Sequence, residues 1–181
     1  CAQLMVAGSE TTRNHLLSML LLLCDDPTLQ QRLRAEPALI PRFVDESLRY
    51  ESPVQGLYRR ATRDVPLGGV TIPAGAIVLL MYGAGNRDPR AFPEPARIDL
   101  DRANANRHLA FGHGIHSCIG RTLATAELTI ATQRLLERLG PIRLAADSPR
   151  PTRMFHFNMR ALGSLHIEFD VRAPAARDAQ T

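Results

Sequence analysis

The chain has 181 residues, 45% of them hydrophobic, which is enough to bury a core and too apolar for a disordered polypeptide. Its formal charge of +4 is carried by arginine alone; without Lys, Trp or a run of five basic residues it does not describe a nucleic-acid surface. Three widely spaced cysteines (Cys1, Cys24, Cys118) imply no disulfide framework and fit a reducing cytoplasm, and the longest apolar run, 16–24, is far short of the roughly 20 residues that span a bilayer.

The chain opens at Cys1, with no initiator Met or signal peptide and with helical pattern already under way, so a preceding part of that helix is expected. Residues 4–23 predict one helix, apolar on nearly all sides after Leu16. Near its start stands Ala7-Gly8-Ser9-Glu10-Thr11-Thr12. A glycine inside a helix costs about 1 kcal/mol against Ala and needs a packing or access reason; acids and hydroxyls in an apolar helix need partners. Read alone, the stretch is also an ordinary helix start, with Ser9 or Thr11 capping. Asp26 and Pro27 predict the N-cap and first position of a short helix reaching about Ala35. Another helix is expected from about Leu39 to Tyr50, before Ser52-Pro53. It carries Glu46 and Arg49, three apart and so on one face, a spacing common on surfaces.

From Val54 the period turns toward two, predicting a small antiparallel sheet with strands over 57–63, 70–72 and 76–82 and turns at Gly68-Gly69 and Ala74-Gly75. Residues 86–102, dense in Pro, Arg and Asp, predict an ordered irregular coil. A helix over 119–139 is expected to face the core with Ala124, Leu128, Ile130, Ala131, Leu135 and Leu136. Short strands follow at 142–144 and 165–169, and residues 171–181 are expected to form a disordered tail.

Just before that last helix the chain reads HLAFGHGIHSCIG, from His108 to Gly120. A thiolate at Cys118 would see unpaired helix amides and the positive end of the helix dipole, both of which favour its charged form. Gly112, Gly114 and Gly120 keep side chains away, so a flat object can lie close to the backbone. Such a thiolate on a glycine-lined shelf is suited to bind a metal. By residue type alone, zinc held by His108, His113, His116 and Cys118 is an alternative, although the spacing matches no common zinc pattern.

The run from Phe111 through Gly112, Gly114 and Cys118 to Gly120 resembles the cysteine-ligand loop of the cytochrome P450 family of haem-thiolate monooxygenases, soluble bacterial type. The resemblance extends from about Leu4 to Phe169 and to the C-terminal part of that fold only. It implies a mainly α protein with small antiparallel sheets, an incomplete haem-binding domain over 1–170 lacking its N-terminal helices. By the same resemblance Cys118 ligates the iron of haem b in a loop formed with Phe111, Gly112, Gly114 and Gly120. Glu10 is the acid and Thr11 the hydroxyl of a proton-delivery pair, and Gly8 leaves space for O2. Arg59, with Arg60 as the competing candidate, and His108 and His116 reach the propionates. Val54, Gln55, Gly56 and Leu57, with residues 155–159, touch substrate. Glu46 and Arg49 form a buried structural pair whose third member is Arg97 or Arg102. The implied activity is insertion of one oxygen atom of O2 into a small organic substrate, with electrons from NAD(P)H through a ferredoxin or flavodoxin meeting basic residues such as Arg121. A peroxide-driven enzyme and a truncated, non-catalytic fragment that binds haem weakly or not at all are the competing expectations. Neither nucleic acid nor membrane is expected as a partner.

Overall fold

Four helices meet at one core, and the charged groups buried beside it decide where the loops run. The computed structural model describes residues 2–172. Helix α1 (Ala2–Asp25) is the long helix expected over 4–23, and it holds residues 8–12 in its interior rather than at its start. There the Ser9 and Thr11 hydroxyls donate one turn back, to the Met5 carbonyl at 2.7 Å and the Ala7 carbonyl at 2.8 Å, so neither caps a helix. Asp26 caps α2 (Pro27–Ala35) by accepting from the Thr28 and Leu29 amides, with Pro27 in the first turn. A short 3-10 turn then leads into α3 (Ile40–Tyr50).

Beyond α3 the chain forms two separate antiparallel ladders instead of one sheet. β1 (Leu57–Arg60) pairs with β4 (Ile77–Leu80), and β2 (Val65–Leu67) with β3 (Val70–Ile72). The strand expected over 57–63 thus ends at Arg60, and Gly68-Gly69 turns the chain between two strands of its own, one of them hidden in the sequence by Pro66. The strand expected over 76–82 stops short of Tyr82, which starts a single helical turn, α4 (Tyr82–Gly85). Residues 86–120 are irregular apart from two 3-10 turns, α5 (Arg121–Arg138) follows, and β5 (Arg143–Leu144) pairs with β6 (Ile167–Glu168). Val171 bridges Leu139, and the Arg172 amide donates to Arg138, so both lie ordered inside the stretch expected to be a tail. The rest of that stretch, 173–181, lies outside the described residues.

The core joins Met19 and Leu23 of α1, Leu29 and Leu33 of α2, Phe43, Val44 and Leu48 of α3, and Leu128 and Leu136 of α5. On α5 the buried stripe is Leu128, Thr132 and Leu136, one residue per turn, whereas Ile130, expected inside, is exposed. Polar side chains staple the helices where no ladder can. The Gln30 amide bonds both the amide and the carbonyl of Ile142, and the Arg34 fork covers the last carbonyls of α5, those of Leu136, Leu139 and Gly140.

Glu46 and Arg49 are both fully buried, and Arg49 makes two parallel bonds of 2.8 Å to the carboxylate. Its other N–H groups donate to the carbonyls of Asn86, Pro95 and Arg97, within 3.0 Å. Glu46 accepts in addition from Arg102 Nε and the Asp99 amide, each at 3.0 Å. Arg102 is therefore the third member of the group. Arg97 contributes only its carbonyl and turns its side chain to solvent. The pair thereby fixes the irregular 86–102 coil against α3.

His15 lies buried on α1, its Nδ1 at 3.3 Å from the Glu51 carbonyl and Nε2 at 3.0 Å from the Ser47 hydroxyl. Burial pushes its pKa down from 6.5 to about 3, so the folded state holds it neutral. A lowered folded pKa means that stability is full above pH 6.5 and drains away as pH falls toward 3, at about 1.4 kcal/mol per pH unit. Urea titrations from pH 7 to pH 4 are expected to show that slope, reduced in His15→Gln. In the same assay Glu46→Ala or Arg49→Ala is expected to cost about 3–5 kcal/mol, because one charge is left buried without its partner, and Arg97→Ala under about 0.5 kcal/mol.

Candidate functional site

Ala7, Gly8, Thr11 and Thr12, at helical spacing, give α1 one face that lines a cavity of about 310 Å³. Its other walls are Leu48 of α3, Pro53, Val54 and Leu57, Tyr82, Leu123, Ala124 and Glu127 of α5, and parts of the 110–120 loop. The volume is that of a small-molecule site, and the lining is largely apolar.

Cys118 brings its thiol to this cavity. The Cys118 amide donates to the Phe111 carbonyl at 2.8 Å, which closes the loop between them. Two residues later Gly120 stands at the N-cap of α5, so the sulfur sits beside the unpaired amides and positive end of that helix. Gly112 and Gly114 have φ of +68° and +73°. A Cβ at Gly114 would touch nothing within 4 Å, and one at Gly112 would make only ordinary contacts with Tyr82 and His116. What these positions require is a left-handed backbone, more than the empty space expected of them. Gly8 is the reverse case: an added Cβ would stand free in the cavity.

Of the other residues singled out in the sequence, Phe111 and His116 line the cavity, and Arg121 lies 5.6 Å over the Phe111 ring. Arg59 lines an adjoining cavity of about 290 Å³ together with His113, and Tyr82 belongs to both. Arg60, the competing candidate, points elsewhere and donates to the Gly75 carbonyl. His108 does not reach either cavity. It is buried, its Nδ1 accepts from the Ala110 amide, and its Nε2 lies 3.7 Å from Asp45 of α3. Val54 and Leu57 line the main cavity, but Gln55 and Gly56 do not. Gln55 turns back to the Ser52 carbonyl, and Gly56 packs so closely that an added Cβ would sit 2.7 Å from the Leu80 carbonyl oxygen. Residues 155–159 also stay off the cavity wall, although Met159 bridges Val54. Glu10 is exposed on a neighbouring side of α1, off the cavity face.

Sequence reading missed Tyr82, which was assigned to a strand, and Asn86, which was placed in the irregular coil without a role of its own. Asn86 is fully buried; it donates to Ser52 Oγ at 2.7 Å and accepts from the Leu109 amide at 2.6 Å, tying the lead-in of the cysteine loop to α3.

Among the described residues no three His, Cys, Asp or Glu side chains converge to hold a metal ion, which removes the zinc reading. A metal bound at Cys118 must bring its remaining ligands with it, as a porphyrin does. The apolar walls, the space beside Gly8 and the thiol at the rim fit such a group.

Comparison with known proteins agrees. The cytochrome P450 family model matches residues 1–154, and the chain belongs to that family, which implies a haem cofactor. It is 43% identical over 165 residues to cytochrome P450 107B1 of Saccharopolyspora erythraea, covering 91% of this chain and 40% of that protein. It is also 43% identical, over 170 residues, to the biotin biosynthesis cytochrome P450 of Bacillus subtilis, covering 94% of this chain and 42% of that one. The substrate-free structure of Mycobacterium marinum cytochrome P450 CYP150A6 superposes with a TM-score of 0.89 at 40% identity, over 94% of this chain and 43% of that one. The chain thus spans about 40% of the length of the curated relatives it matches. Among the described residues no helix is long and apolar enough to cross a membrane.

Gly112→Ala and Gly114→Ala are each expected to lower stability by about 1–2 kcal/mol in urea unfolding, the cost of a left-handed conformation at a residue with a Cβ. A loss near zero at both would show that the loop does not need those backbone angles.

Proposed function

We propose that this chain supplies the thiolate side and one helix wall of a haem-thiolate monooxygenase site that inserts one atom of O2 into a small organic substrate. The observation that carries the reading is a single cavity shared by the Cys118 loop and the Gly8 and Thr11 face of α1. The cofactor is haem b, bound through the Cys118 thiolate. Once bound it activates O2, and the electron donation of the thiolate favours O–O cleavage over reversible oxygen storage. Arg59 and His116 are the groups for its propionates, and the position of Arg59 beside His113 in the adjoining cavity makes that histidine an additional donor. Val54 and Leu57 contact substrate.

Glu10 and Thr11 divide the handling of protons. The Thr11 O–H is committed to the Ala7 carbonyl, which leaves the hydroxyl oxygen to accept a hydrogen bond from water in the cavity. Glu10 faces solvent one residue away and takes up protons there, to pass them along water into the cavity, where the Thr11 oxygen orients the last water by accepting its hydrogen bond. Apolar walls keep other water out. Gly8 leaves room for O2. Electrons come from NAD(P)H through an acidic ferredoxin or flavodoxin that meets Arg121 beside the cysteine loop, in the cytoplasm. The chain's share of about 40% of its relatives supports a second reading for these 181 residues alone, as a weak haem binder without turnover.

Reduced, CO-treated protein made from the full open reading frame with haem is expected to show the Soret band of thiolate ligation. A histidine-type spectrum, or an unchanged spectrum in Cys118→Ala, overturns the reading. Thr11→Ala is expected to keep that band while sending several-fold more reducing equivalents to peroxide. Product formed with peroxide but not with O2 and a reductase would favour the peroxide route.

A further inference from the structure

The chain buries a second carboxylate for which the monooxygenase reading has no use. Glu51, just past the end of α3, is 4% exposed. Its Oε2 accepts from Arg153 Nη2 and, at 2.5 Å, from Arg160 Nε; its Oε1 accepts from Arg160 Nη2 at 3.1 Å and from Arg87 Nη2 at 3.5 Å. Three guanidinium groups on one carboxylate exceed what neutralising it requires, and desolvating them is costly. A surface loop could be tied down with less.

The arginines show what is being held. Arg153 and Arg160 stand on the two arms of a hairpin, where Arg153 bridges Leu162 and the Met154 amide donates to the Ala161 carbonyl at 2.9 Å. The same hairpin is sewn to the 53–55 stretch: the Arg160 amide donates to the Pro53 carbonyl at 2.8 Å, the Gln55 amide to the Asn158 carbonyl at 2.7 Å, and Met159 bridges Val54. Pro53 and Val54 are cavity walls. Arg153 also reaches Ser18 on α1, at 3.2 Å. The hairpin is thus fixed to the Glu51 carboxylate, to α1 and to the 53–54 stretch of the cavity wall.

We propose that Glu51 is a positioning residue for ligand size: through Arg153 and Arg160 it holds the 153–162 hairpin, and through that hairpin it sets where Val54 and Pro53 stand in the cavity wall. The ligands affected are apolar molecules long enough to press on that wall, while smaller ones that stay clear of it do not sense it. The proposal rests on the cavity being the haem site, so its test has one readout that needs haem and one that does not.

Glu51→Gln, which removes the charge at nearly constant shape, and Arg160→Gln, which frees one hairpin arm, are compared with the unsubstituted haem-loaded protein. In hydrogen exchange, the Gln55, Met154 and Arg160 amides are expected to exchange at least tenfold faster in both variants, with the core amides of Leu48 and Leu128 unchanged. In spectral titrations the dissociation constant of 4-phenylimidazole is expected to move at least fivefold and that of imidazole less than twofold, and Glu51→Asp to restore part of the difference. Unchanged exchange in the hairpin of both variants, or equal shifts for the two azoles, overturns the proposal. If the unsubstituted protein binds neither azole, the haem reading fails instead, and the exchange result alone decides whether Glu51 holds the hairpin.

Discussion

The Glu46 carboxylate, with none of its side chain exposed, sets the terms for the rest of the molecule. A charge in that position must be matched where it stands, and Arg49, Arg102 and the Asp99 amide all converge on it. Because the remaining donors of Arg49 go to three carbonyls of the 86–102 coil, a stretch with no regular hydrogen-bond ladder is tied to α3. Asn86 then passes that order to Leu109, and Leu109 opens the loop that carries Cys118. Replacing a buried ion pair with apolar residues is often neutral for stability, so the use of this one lies in placement.

The arginine bias of the composition takes on a different meaning in the structure. Arg49, Arg102 and Arg153 each fasten two or more acceptors on separate segments, a use that suits a planar fork with several donors. Part of the positive charge is therefore internal carpentry, although most of the described arginines are exposed. Its products are two anchored irregular segments, the 86–102 coil and the 153–162 hairpin, one supporting the thiol loop and the other a wall of the same cavity. Between them α1 lays a face with one missing side chain and two threonines.

Much of this was legible in the sequence where a residue's role is local. Asp26-Pro27 announces a helix start by its own chemistry, whereas the glycines around Cys118 drew notice for the space they leave and prove to mark backbone angles that other residues avoid. The family resemblance added what no local rule gives, that Glu46 and Arg49 are buried rather than solvated. Reading failed where side-chain direction depends on distant partners. His108 has the residue type for a propionate, yet Asp45 and the Ala110 amide turn it into the interior. Gln55 and Gly56 adjoin two cavity residues in sequence and still face Ser52 and Leu80. Glu51 gave no sign at all, since its three arginines lie 36, 102 and 109 positions away. Ile130 was counted inside because helical spacing identifies a face only when its width is known.

All of these pieces serve one arrangement, a single sulfur presented to an apolar cavity large enough for a flat cofactor. X-ray absorption at the iron edge of the haem-loaded protein tests it most directly. The account predicts one sulfur neighbour of the iron, lost in Cys118→Ser. A coordination shell of nitrogen and oxygen alone, or a sulfur that persists in that variant, would contradict it.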